Sequence, residues 1–194
     1  MNIKEKIDLK LKNANYFNDF VTDLEHLDLN APGYLKSLMW SAYYAYLLSD
    51  EILAKEILEL LNTCSFDGDY DKWVWIRGGL MLLSKIYREE GDIGMSQKIV
   101  EKCLAPFDMG ETEMKIQMNK KVLNRRLNGQ LLNNAKIEHA QKEGNIDLLI
   151  LLLFPYLNEL IFIREMGGSG TYPIDRLDIE ISDMEECIIG IIKS

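Results

Sequence analysis

Apolar residues recur three and four positions apart along most of the chain, and this spacing predicts an all-α protein. The pattern is clearest between residues 71 and 105, where it is interrupted at Gly91-Asp92. A glycine followed by a residue that can cap a helix is typical of a tight turn, so this stretch predicts an antiparallel helical hairpin. The apolar stripe of its first helix consists of Trp73, Ile76, Leu80, Leu83 and Tyr87.

The same layout is predicted twice more. Residues 34–64 turn at Ser49-Asp50, where Asp50 is expected to cap the next helix, and residues 134–166 turn at Gly144-Asn145. We therefore predict a single all-helical domain over residues 1–194, in which hairpins stack and a last helix, residues 175–193, caps the stack. The apolar positions of that helix are Ile174, Leu177, Ile181, Met184, Ile188 and Ile191. A coiled-coil dimer through this helix is the alternative.

Two further helices complete the prediction. Residues 3–27 form a first amphipathic helix that ends before Asn30-Ala-Pro-Gly33. Its stripe consists of Ile7, Leu11, Ala14, Phe17, Val21 and Leu24. Residues 111–132 form a locally basic helix, which is interpreted either as a solvated face or as a docking patch for an acidic partner or RNA.

The first two hairpins align at an offset of 42 residues, from Ser49 to Gly91. This offset pairs Ala42 with Ser84 and Ala54 with Ser96. Small side chains are needed where two packed helices approach most closely. We therefore expect Ser84 to face Ser96, and Ala42 to face Ala54.

This layout resembles the tetratricopeptide-repeat superfamily. The family pattern has a small residue midway along the first helix, a large aromatic residue one turn later, a Gly-Asp or Gly-Asn turn, and a small residue early in the second helix. In the second hairpin these are Ser84, Tyr87, Gly91-Asp92 and Ser96. The resemblance covers about half of the chain. It implies a right-handed array of stacked antiparallel hairpins that binds a protein or peptide.

The net charge of the chain indicates which kinds of partner it can bind. The chain has 22 basic and 31 acidic residues, a net charge of −9. This charge disfavours binding to the phosphate backbone of nucleic acids and favours a basic partner. We expect a monomer or a weak homodimer.

The sequence contains few residues that could bind a metal ion or form a disulfide. Cys64, Cys103 and Cys187 form no CxxC pair, and His26 and His139 are isolated, so no disulfide framework, metal site or cofactor is predicted. Residues 67–71 begin like a calcium loop but lack its later glycine and glutamate. They are interpreted as a loop that ends with Asp71 as a helix cap.

The start of the chain lacks the apolar core of a secretory signal, so a cytoplasmic location is expected. Residues 146–163 are nearly long and apolar enough to span a membrane. Their polar residues favour the alternative of a soluble buried helix, in which Pro155 marks a kink or a break.

No catalytic constellation is evident, and the predicted function is a non-enzymatic module that binds a protein or peptide. One alternative is a small acidic immunity-type protein that neutralises a basic toxin, and another is an enzyme of unrecognised type. In the repeats that the chain resembles, the first helix of each hairpin lines the binding groove. The candidate partner-binding residues are Met39, Tyr43, Tyr46, Arg77, Met81, Lys85 and Arg88.

These residues suit a partner segment with apolar anchors and an exposed carboxylate. The predicted groove has an aromatic and methionine floor and a basic rim. The alternative is that the tyrosines belong to the core and that Lys85 and Arg88 are solvated.

Overall fold

The computed structural model describes residues 1–26, 28–107, 135–168, 170 and 172–193. All regular secondary structure in these ranges is helical, which confirms the predicted fold class. The helices are α1 (Ile3–Leu11), α2 (Phe17–Phe20), α3 (Pro32–Leu47), α4 (Glu51–Asn62), α5 (Tyr70–Glu89), α6 (Ile93–Leu104), α7 (residues 135–143), α8 (Ile146–Glu165) and α9 (Ile174–Lys193). The predicted helix 111–132 lies outside the described residues.

The chain divides into two compact units. Unit 1 comprises Met1–Cys103 together with the C-terminal residues from Glu185 onward, and unit 2 comprises Leu104–Met184. The division falls inside α9, so the last part of that helix belongs to the same unit as α1 to α6. The candidate site described below lies in unit 1.

Helix α3 is the centre of unit 1. It contacts α4 and α5, which also contact each other. Twelve of its sixteen residues are buried, because its apolar side chains are distributed around the whole helix instead of along one stripe. The close approach predicted between α5 and α6 is confirmed, since the hydroxyl oxygens of Ser84 and Ser96 are 2.9 Å apart.

The three predicted turns share one backbone geometry. Their first residue has a positive φ angle, 65° in Ser49, 86° in Gly91 and 63° in Gly144. The next residue accepts a hydrogen bond through its side chain from an N–H group three positions later, at 3.0–3.1 Å. These capping residues are Asp50, Asp92 and Asn145. The prediction that Asp50 caps α4 is therefore confirmed.

The predicted single helix over residues 3–27 is wrong. The structure has two short helices there, α1 and α2, and Tyr16 between them has a left-handed φ of 61°. A tertiary contact favours this break, because the Tyr44 hydroxyl donates to the carbonyl of Asn15 at 3.1 Å. Phe17 then packs edge-on against Tyr44, and Phe20 against Trp40. The apolar pattern identified five of its six positions as buried, all but Ala14, but could not reveal the break between the helices.

The cap of α5 also differs from the prediction. Helix α5 begins one residue before Asp71, and Asp69 is its cap. The Asp69 carboxylate accepts from the N–H groups of Asp71 at 2.9 Å and Lys72 at 3.2 Å. Both aspartates can cap a helix, and the position of the preceding loop selects Asp69.

Helix α8 is a continuous helix that contains Pro155, so of the two predicted alternatives at this proline, a kink or a break, the break is excluded. By length and composition it is apolar enough to cross a membrane. Half of its most apolar window is buried in the structure, and the core helix of a soluble protein meets the same criterion. The length and apolar composition of α8 therefore do not show that the chain spans a membrane.

Ser49 provides a test of the repeated turn geometry. A non-glycine residue at positive φ is strained by about 1 kcal/mol. We expect Ser49→Gly to raise the free energy of unfolding by about that amount, measured by urea denaturation. Gly91→Ser is the reciprocal control and should lower it, because a Cβ at Gly91 meets no atom within 4 Å and the change acts through φ alone. Equal midpoints for Ser49→Gly and the parent would contradict this account.

Candidate functional site

The residues predicted to line a groove lie on two helices that contact each other. Met39, Tyr43 and Tyr46 are on α3, and Arg77, Met81, Lys85 and Arg88 are on α5. Met39, Tyr43 and Met81 are 2%, 0% and 0% exposed, so they belong to the core. The floor of the predicted groove is therefore closed in this structure.

The polar residues of the predicted groove have different environments. Tyr46, Arg77 and Arg88 are half-buried. Lys85, which was expected at a solvated rim, is 4% exposed. The expectation for Lys85 is therefore corrected, and the reason is the set of oxygen atoms around its ammonium group.

Three helices supply these oxygen atoms. Lys85 Nζ donates a hydrogen bond to Tyr46 Oη of α3 and lies 2.8 Å from Glu89 Oε1 of α5. It also lies 3.2 Å from Oε1 of Glu185 in α9. A buried ammonium group needs partners for its three N–H groups, and three acceptors surround this one. We call Tyr46, Lys85, Glu89 and Glu185 the lysine cluster.

The two carboxylates of the lysine cluster are held differently. The Glu89 side chain is 44% exposed, whereas that of Glu185 is 17% exposed. Glu185 Oε1 is buried and, despite its distance of 3.2 Å from Nζ, does not have the alignment of a hydrogen bond. Glu185 is therefore attracted mainly by the charge of Lys85.

Burial and charge act in opposite directions on the lysine cluster. Burial lowers the pKa of Lys85, but the interactions with Tyr46, Glu185 and Glu89 outweigh it and raise that pKa above its ordinary value. Lys85 is therefore protonated at neutral pH. Burial raises the pKa of Glu185, and Lys85 opposes this effect. Burial also raises the pKa of Tyr46 to about 12, again against the effect of Lys85.

A second polar site lies near the first turn of α5. A cleft of about 210 Å³ is lined by residues of the loop before α3, of the loop between α4 and α5, and of the first turns of α5. Lys72 forms ion pairs there with Asp67 and, at 3.8 Å, with Asp69. Tyr70, the first residue of α5, is 52% exposed, and Asp71 is also exposed. We call Asp67, Asp69, Tyr70 and Asp71 the acidic end of unit 1.

Comparison with known families identifies the chain. Residues 2–189 match the family model of DUF6707, described as a family of unknown function. The chain belongs to DUF6707. The searches of curated proteins and of solved structures returned no match. The resemblance to tetratricopeptide repeats stays a prediction for this DUF6707 chain.

The cysteine thiols of this DUF6707 chain are not activated. Burial raises the pKa of Cys103 to about 12, although Arg77 and Lys102 oppose it. Burial also raises the pKa of Cys64 and of Cys187. Thiols with raised pKa values are poor nucleophiles at neutral pH. Within the described part of the chain, no three His, Cys, Asp or Glu side chains are placed to hold a metal ion.

Sequence reasoning missed Glu185. Its position carried a signal, because Glu185 follows Ile181 by four residues and precedes Ile188 by three. An acid at this spacing lies within the apolar stripe of the helix, where it needs a cationic partner. The buried positions of α9 are Leu177, Ile181, Ile188 and Ile192, so the stripe ends at Ile192 and not at Ile191 as predicted.

The lysine cluster predicts a loss of stability at alkaline pH. An unfolded tyrosine ionises near pH 10, whereas Tyr46 in the fold ionises near pH 12. Between these values the unfolded state has lost a proton that the folded state retains, so stability falls as pH rises. Lys85 acts in the same direction, because its raised pKa gives a contribution that is present below 10.5 and lost above it.

We expect the Tyr46 contribution to fall by roughly 2 kcal/mol between pH 9 and pH 12. The measurement is the urea-unfolding free energy as a function of pH. Tyr46→Phe should make the decline shallower. Tyr70→Phe, which changes an exposed tyrosine, is the matched control and should follow the parent. If the unfolding free energy falls equally with pH in Tyr46→Phe and in the parent, the pKa of Tyr46 is not raised in the folded protein.

Proposed function

We propose that this DUF6707 chain is a non-enzymatic cytoplasmic module that binds a segment of another protein through α3 and α5. The observation that carries the proposal is the lysine cluster. Two helices from successive helix pairs present Tyr46 and Lys85 to a carboxylate on a third helix, Glu185. A buried cation beside a tyrosine is a specific receptor for a carboxylate.

The layout of unit 1 supports the proposal. Helices α3 and α5 are each the first of two helices joined by the repeated turn geometry, and they contact each other. In stacked helical hairpins, the first helices line one continuous surface. The proposed arrangement is therefore a tetratricopeptide-like stack with α3 and α5 on its binding side.

Arg88 is the residue of this surface that best reports on binding. It lies one helical turn after Lys85, and its side chain is 23% exposed. Its guanidinium group lies 3.8 Å from Glu89, and it can also meet a carboxylate of an approaching segment. Arg88 can be changed with less disruption than Lys85, whose replacement would leave buried acceptors without a donor.

The test is capture of partner proteins from native cell extract by the full chain. Arg88→Glu should weaken capture of the specific partner at least about tenfold and leave the melting temperature close to that of the parent. Lys98→Glu is the matched control, because it makes the same charge change at an exposed position of α6. Unchanged affinity of Arg88→Glu for the captured protein would contradict the proposal. Equal losses of capture in both variants would show that the effect comes from the change in net charge alone.

The acidic end supports a second candidate function, that of an immunity-type protein which neutralises a basic protein. Tyr70 offers an exposed ring beside three aspartates, a combination that suits arginine or lysine side chains. The double variant Tyr70→Ala with Asp71→Asn removes the aromatic ring and one carboxylate charge from this surface. It leaves the cap Asp69 and the ion pair of Asp67 unchanged. Capture that is lost in this double variant but retained in Arg88→Glu would favour the second function. Binding to this surface should also weaken steeply with salt.

A further inference from the structure

One residue from the end of α9 already lies in the lysine cluster of the proposed binding site. Residues from Glu185 onward group with unit 1, and Glu185 reaches Lys85 in the lysine cluster. Ile188 and Ile192 in the same segment are 1% and 4% exposed. The end of α9 therefore carries one carboxylate beside Lys85 and two buried apolar side chains. These are the kinds of group that the surface of α3 and α5 was predicted to recognise.

The spacing of this segment defines what the site accepts. Glu185, Ile188 and Ile192 lie at positions i, i+3 and i+7, which fall on one face of a helix. The opposite side carries Glu186 and Cys187, both exposed. A partner helix that replaces the segment needs the same residues on one face. These are an acidic residue at position i and branched apolar residues at i+3 and i+7.

Two features make the segment replaceable. Burial raises the pKa of Glu185, although Lys85, 3.2 Å from its Oε1, opposes this effect. Gly190 lies in the last turns of α9, where a Cβ would meet no atom within 4 Å. Glycine weakens a helix, and here no close packing requires it. The segment is therefore held by a charge contact with Lys85 and by a helix end that its own glycine weakens.

From these observations we infer that residues 185–193 are an intramolecular ligand of the surface formed by α3 and α5. We further infer that the partner is an amphipathic helix with the Glu185, Ile188 and Ile192 pattern, which displaces them. This inference rests on the proposed function and adds the partner's chemistry and a mode of regulation. A tethered segment acts at an effective concentration on the order of millimolar, so a free partner binds weakly until the segment is released.

The test uses the full chain and a fluorescent synthetic peptide with the sequence of residues 174–193. Glu185→Lys in the chain places a cation beside Lys85, which should release the chain's own segment and leave the receptor side intact. We expect this variant to bind the peptide at least tenfold more tightly than the parent does, measured by fluorescence anisotropy. The same substitution made in the peptide should abolish its binding.

Two controls separate release from other effects. Glu186→Lys makes the same charge change on the exposed side of α9, and it should bind the peptide as weakly as the parent. Ile188→Ala in the chain removes an anchor without changing charge, and it should also increase peptide binding. Circular dichroism and melting temperature establish that each variant is folded. If Glu185→Lys does not fold, Ile188→Ala decides the result.

Several outcomes would overturn the inference. Folded release variants that bind the peptide no better than the parent would show that the segment is a fixed part of unit 1. An equal gain in Glu186→Lys would show a general charge effect. Dimers of the parent chain in sedimentation velocity, absent in Glu185→Lys, would assign the site to the segment of a second copy of the chain. In each case, Arg88-dependent capture would still test the proposed function separately, because Arg88 is unchanged in these variants.

Discussion

The burial of a positive charge is the constraint on which the centre of unit 1 depends. An ammonium group in a protein interior is stable only if oxygen atoms replace its water. Lys85 obtains these oxygens from α3, from its own helix and from α9. The pairing ties the last part of α9 to helices that are distant in the sequence.

The repeated turn has a local physical cause. Each turn combines a residue at positive φ with a capping side chain, so one helix ends and the next begins within three residues. Ser49 adopts the conformation that Gly91 and Gly144 adopt at no steric cost. The same geometry therefore recurs where the sequence differs, which shows that the cap and the packing of the flanking helices outweigh the preference of serine.

Charge is distributed unevenly over unit 1. The chain is acidic overall, yet Lys85, at the centre of this unit, is only 4% exposed. The acidic end, at the start of α5, suits basic partners, whereas the lysine cluster, near the end of α5, suits a carboxylate. The match to DUF6707 spans residues 2–189 and therefore includes both Lys85 and Glu185. A binding surface that includes these residues would fall within the region that defines the family.

The sequence by itself determined the features that depend on neighbouring residues. The helical periodicity, the three turns and the cap Asp50 follow from interactions within a few residues, so the pattern predicts them well. The contact between Ser84 and Ser96 was also predictable, since a short turn brings their helices together. The break after α1 was decided by Tyr44, which lies far along the chain from Asn15. The burial of Met39, Tyr43 and Met81, and the pairing of Lys85 with Glu185, likewise required the tertiary structure. Periodicity shows which face of a helix is apolar, but only the packed fold shows what covers that face.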